Sequence, residues 1–164
     1  MYITFEDINS DARIWIYQSA IELNEKQIAG ISEFLISNID DWSSHGAPIK
    51  GSFSIYFNRF LIIAADTNFN DTSGCSIDSS TRWIKQINAD FDLDFFDRSQ
   101  GYFENEKLKF FPILEAKKFI SSGKIAADTI ILNNQISKKS DLDLNWKIKA
   151  SESIFKRYFL NALV

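Results

Sequence analysis

Apolar positions along the 164-residue chain change period several times, and each change marks an element. Arg13-Ile14-Trp15-Ile16-Tyr17 is rich in β-formers and predicts a first strand. Asn24 stands three residues before Gln27 in the capping-box spacing. Ile28, Ile31, Phe34, Leu35 and Ile39 then recur on one helical face, so a helix is expected from about Glu25 to Asp41. Trp42 to Pro48 reads as a loop. Phe53, Ile55 and Phe57 alternate with Ser54 and Tyr56, the pattern of a half-buried strand, and Asn58-Arg59 supplies a tight turn. Phe60-Leu61-Ile62-Ile63-Ala64-Ala65-Asp66 shows no alternation, which places it centrally, apolar on both faces.

A polar, Asn/Asp-rich loop from Thr67 to Gly74 precedes a helix carrying Ile77, Thr81, Trp83, Ile84 and Ile87, with Leu93-Asp94-Phe95-Phe96 as a short strand beyond it. The predicted class is therefore α+β: a mixed or antiparallel sheet covered by helices, with a ferredoxin-like β-α-β-β-α-β core. A C-terminal β-β-α-β-α elaboration follows. Gly101–Phe103 and Leu108–Phe111 form a hairpin about residues 104–107, and Pro112 opens a helix with Leu114, Phe119 and Ile120 that Gly123 stops. Thr129 to Leu132 is another buried strand, Ser137 to Asp143 a charged, linker-like stretch, and Ser151-Glu152-Ser153 opens a helix presenting Ile154, Tyr158 and Phe159.

Composition narrows the class. Fifteen Phe, four Trp and five Tyr, with only two Pro and six Gly, indicate a packed core, and the length suits one domain. A single cysteine rules out an internal disulfide and a cysteine-rich zinc site. The start, Met1-Tyr2-Ile3-Thr4-Phe5-Glu6-Asp7, does not resemble a signal peptide, and the apolar runs are too short to span a bilayer, so a cytoplasmic protein without a membrane partner is expected. Residues 1–97 carry 15 acidic and 6 basic side chains, a net −9, whereas residues 98–164 carry 7 and 12, a net +5. That asymmetry suits self-association as a homodimer or a protein partner, and the overall acidity argues against nucleic acid.

Candidate chemistry gathers at element boundaries. Cys75 lies where the 67–74 loop meets a helix, a place where exposed N–H groups and the helix dipole favour a thiolate. His45, the sole histidine, could serve as its base, with Asp78 nearby as an alternative helix N-cap. Against this stands the ordinary behaviour of a free cysteine as a small buried hydrophobe. Trp42 with His45 could line a ligand pocket, and Arg59 and Arg82 could grip a carboxylate or phosphate. Asp66, Asn68, Asn70, Asp71 and Asp78 lack the glycine and terminal glutamate of an EF-hand, so no metal is expected. Lys147-Ile148-Lys149 beside Trp146 is a poor nucleic-acid signature.

Several landmarks are similar to a family of short bacterial proteins often labelled "ABC transporter ATPase": Ala12–Ser19, Trp42-Ser43-Ser44-His45-Gly46, Asn58-Arg59-Phe60, Gly74-Cys75-Ser76-Ile77-Asp78 and Ala127–Asn134. The resemblance spans nearly the whole chain and implies one domain in the cytoplasm, with no catalytic residue carried over. The label itself conflicts with the residues. In Gly46-Ala47-Pro48-Ile49-Lys50-Gly51-Ser52 the lysine precedes the second glycine, and a strand follows where a Walker A loop needs a helix. Thr67 stands where a Walker B strand would be followed by glutamate. The expected role is therefore binding or regulation through protein or small-ligand contacts, without a cofactor and not as an ATPase. The competing class is cysteine-dependent acyl transfer or hydrolysis by Cys75 with His45.

Overall fold

The computed structural model describes residues 1–44, 46–66 and 74–160. They form an α+β protein with antiparallel sheets, in two compact units: residues 1–97 with 137–140, and residues 98–136 with the chain from 141 onward.

The first unit is built on a three-stranded sheet of β1 (Arg13–Gln18), β4 (Gly51–Tyr56) and β5 (Phe60–Ala65), ordered β1-β5-β4. Between β1 and β4 come helix α1 (Glu25–Asp40) and a two-residue hairpin, β2 (Ser43–Ser44) with β3 (Ala47–Pro48), inside the expected loop. Helix α2 (Gly74–Phe91) follows β5. The centre of the sheet explains the missing alternation in β5. Leu61, Ile63 and Ala65 join Phe53 against Ile31, Leu35 and Ile39 of α1 and Ile84 and Ile87 of α2. Phe60, Ile62 and Ala64 are equally buried on the opposite face, with Ile14 and Ser52. Both faces are dry, so every position in the strand must be apolar.

Local chemistry fixes the ends of these elements. Asn24 accepts from the Gln27 N–H at 2.8 Å, and the Gln27 side chain accepts from the Asn24 N–H at 3.0 Å, closing the expected box at the start of α1. The β4–β5 turn uses Phe57 (φ 53°) and Asn58 (φ 50°), closed by the Arg59 N–H on the Tyr56 carbonyl at 3.0 Å. Left-handed conformations at both positions match the twist of a hairpin, though phenylalanine is an unusual occupant.

Three expectations change here. Residues 93–96 form no strand, only a single bridge from Phe96 to Gln18. Their N–H groups go elsewhere: Leu93 donates to the Asn88 carbonyl, Phe95 to the Asn88 side chain and Phe96 to the Asp94 side chain. Such local bonds compete with a ladder, and they cut the ferredoxin-like sheet to three strands. Helix α2 begins at Gly74, where the loop was expected to end, so Asp78 sits inside the helix on its exposed side and is not its N-cap. The linker-like stretch is split. Ser137–Ser140 bonds back to the first unit, with the Ile14 N–H on the Ser137 carbonyl and the Lys139 N–H on the Ala12 carbonyl, both at 2.9 Å. Asp141–Leu144 is a short helix, α4 in chain order. These contacts are made by backbone and so leave no hydropathy signal.

The second unit is a four-stranded antiparallel sheet ordered β7-β6-β8-β9, from β6 (Gln100–Glu104), β7 (Lys107–Phe111), β8 (Ile130–Leu132) and β9 (Lys147–Lys149). Asn105 and Glu106, both with positive φ, make the β6–β7 turn. Across it the Lys109 ammonium donates to the Glu104 carboxylate, which holds that carboxyl below its ordinary value. After Pro112 a 3-10 turn (Ile113–Glu115) leads into α3 (Ala116–Ser121), and Gly123 (φ 75°) ends it. A second 3-10 turn at Ala150–Glu152 precedes α5 (Lys156–Leu160). The core is aromatic: Phe111 stacks on Phe119 at 4.8 Å and meets Tyr102 and Phe155 at 5.7 and 6.0 Å. Leu114 and Ile154, expected to pack, are instead 96% and 51% exposed.

Candidate functional site

Among the described residues singled out by sequence, Trp42 follows α1, Arg59 closes the β4–β5 turn, and Asp78 and Arg82 lie on α2. Trp42 is 3% exposed and lies in an aromatic cluster, edge to face with Trp83 of α2 at 5.0 Å and tilted against Trp15 of β1 at 6.3 Å. Its indole Nε1 is buried and has no hydrogen-bond partner among the described residues. Gly51 allows this packing: a Cβ there would stand 2.8 Å from both the Trp42 ring and Ile39 Cγ2. His45 lies outside the described residues, as do residues 67–73 with Thr67, Asn68, Asn70 and Asp71. Cys75 occupies the first turn of α2, and its side chain is likewise outside the description.

Arg59 is occupied by its surroundings. Its Nε donates to the Ser19 carbonyl at 3.3 Å and its Nη2 to the Ala20 carbonyl, while its own carbonyl accepts from the Ser19 N–H at 2.7 Å. The guanidinium thus straps the β4–β5 turn to the segment after β1. Burial lowers its pKa, opposed by the charges of Asp97 and Glu22. Arg82 is exposed and donates to the Ser79 hydroxyl at 3.1 Å, and Asp78 is exposed on the same helix. A part-buried polar pair that sequence reasoning missed, Tyr17 Oη and Ser80 Oγ at 3.0 Å, joins β1 to α2.

The second unit holds a concavity of about 480 Å³ that the sequence did not reveal. Helix α3 supplies Lys117, Ile120 and Ser121, which share one face at helical spacing. Chain reversal at Gly123, whose N–H donates to the Ile120 carbonyl at 3.0 Å, brings Ile125 beneath them. Ile125 is 1% exposed, and its N–H is fixed on the Phe119 carbonyl at 3.1 Å. Ala126 and Ala127 continue the wall, their turn closed by the Thr129 hydroxyl accepting from the Ala126 N–H at 2.9 Å. Tyr158 and Phe159 of α5 complete the lining. The Arg157 guanidinium lies 4.8 Å over the Tyr158 ring and donates to its hydroxyl at 2.9 Å.

This volume falls within the range of small-molecule sites, about 300–1,000 Å³. Mostly apolar walls with a few convergent polar groups are also typical of such sites. Lys117, Ser121 and Tyr158 are the lining residues with polar side-chain groups. No cluster of three or more His, Cys, Asp or Glu side chains is placed for a metal among the described residues, and no helix among them is long and apolar enough to cross a membrane. No family model matches the chain, and no curated protein or solved structure matches it.

Proposed function

We propose that this protein is a binding domain whose ligand is a small molecule held between α3 and α5. The observation that carries this reading is the concavity itself, whose walls are set by backbone bonds at Gly123, Ile125 and Ala126. A site shaped by the main chain is preorganised and needs little rearrangement to accept an apolar body. The reading requires no cofactor. It takes precedence over thiol chemistry because a free cysteine more often packs as a small apolar residue than it reacts.

Walker-type nucleotide binding is not part of the proposal. Residues 46–52 lead into β4 and not into a helix, so the amides after Lys50 belong to a sheet ladder and cannot cradle phosphate. The test uses hexanamide, a neutral apolar probe, titrated into ¹⁵N-labelled protein. Amide shifts should move at Gly123, Ile125 and Ala126, and Ala127→Phe, which fills the space from an exposed position, should abolish them. Shifts confined to other residues, or none at saturating probe, would overturn the reading.

A further inference from the structure

Resting on that reading, we infer that the ligand is an anion with an apolar body, its charge held by Lys117. The cations of this region differ in how they are used. Lys118 pairs with Glu115 at 3.8 Å, Lys124 lies 5.1 Å over the Phe119 ring, and Arg157 is held on Tyr158. Lys117, the lysine that lines the concavity, has no ion pair among the described residues. None of the lining residues is acidic.

An ammonium beside an apolar wall gains more from an incoming carboxylate than one in open water, because the wall lowers the local dielectric. Ser121, one turn further along α3, adds a hydroxyl donor on the same face as the ammonium. Ile120 beside them, with Ile125 and Phe159, offers apolar surface with no charge to conflict with an alkyl or aryl body. The wider field agrees in sign. Residues 98–136 with 141–164 carry 10 basic and 7 acidic side chains, which favours encounter with anions. A carboxylate on a short apolar chain satisfies both halves of the site.

The experiment compares hexanoate with hexanamide by the same amide shifts, in wild type, Lys117→Gln and Lys117→Arg. Hexanoate should bind more tightly than hexanamide by about 3- to 10-fold at low ionic strength, the scale of a partly exposed charged contact. Added salt should shrink that preference. Lys117→Gln should erase it, hexanoate then binding no more tightly than hexanamide in that variant, and Lys117→Arg should retain it. Since Lys117 is exposed, neither variant threatens the fold. Equal affinities in wild type would overturn the anion assignment and leave the cavity reading standing. Failure of both probes would overturn the two together. A Glu-rich peptide that shifts these amides where hexanoate does not would replace the small molecule with a protein partner.

Discussion

At Gly51 the absence of a side chain is a packing requirement, and the backbone angle plays no part in it. A methyl group there would press on Ile39, which is fully buried, and on the Trp42 ring, which is wedged against Trp15 and Trp83. Neither neighbour can swing into solvent. Gly51→Ala is therefore expected to cost about 1–3 kcal/mol, the usual penalty of overpacking, and to alter tryptophan emission. Denaturant unfolding followed by fluorescence checks both, and a variant as stable as wild type would mean that the cluster is loosely packed. Cys75 poses the other question at this scale. A helix start can acidify a thiol, but a free cysteine more often behaves as a small apolar residue. Iodoacetamide labelling at neutral pH is expected to be slow and unchanged in His45→Ala. Rapid labelling that depends on His45 would move acyl transfer or hydrolysis ahead of the binding role.

Among the elements, β5 and the turn after Pro112 mark the limits of what hydropathy encodes. The unbroken apolar run of residues 60–65 was legible because both faces of a central strand are dry, and its neighbours on either side pair in the expected antiparallel sense. The capping box at Asn24 was legible because it is local. Residues 93–96 look just as strand-like, yet the side chains of Asn88 and Asp94 take the N–H groups a ladder would use. Ser137–Ser140 escaped notice for the converse reason, since backbone bonds alone tie it to Ala12 and Ile14. Of the candidate sites, the sequence drew attention to rare residues, while the concavity is made from common ones brought together by a glycine-ended helix. Two substitutions separate burial from hydropathy. Ile63→Ala should cost about 2–5 kcal/mol by opening a cavity, whereas Leu114→Ala should stay within about 0.5 kcal/mol of wild type. A large loss at Leu114 in equilibrium unfolding would place that residue in an interface.

On the scale of the whole molecule, the sheet edges bear on self-association more directly than the net charge does. In the second unit the edge strands are β7 and β9, and each carries two lysines: Lys107 and Lys109 on one, Lys147 and Lys149 on the other. Lysines on an edge oppose a second strand, because an incoming copy would bring like charges into register. Their side chains also have local uses. Lys109 donates to Glu104, and Lys147 lies 4.8 Å over the Phe103 ring, so one lysine of each edge strand is anchored on its own sheet. The charge asymmetry along the chain suggested self-association, but these edges work against the simplest form of it, strand addition. Replacing Lys107 and Lys109 together by threonine keeps β propensity and removes the charge. The double variant should show concentration-dependent association in sedimentation velocity that wild type lacks. If wild type already sediments as a dimer and the double variant does not differ, pairing must use a surface other than β7.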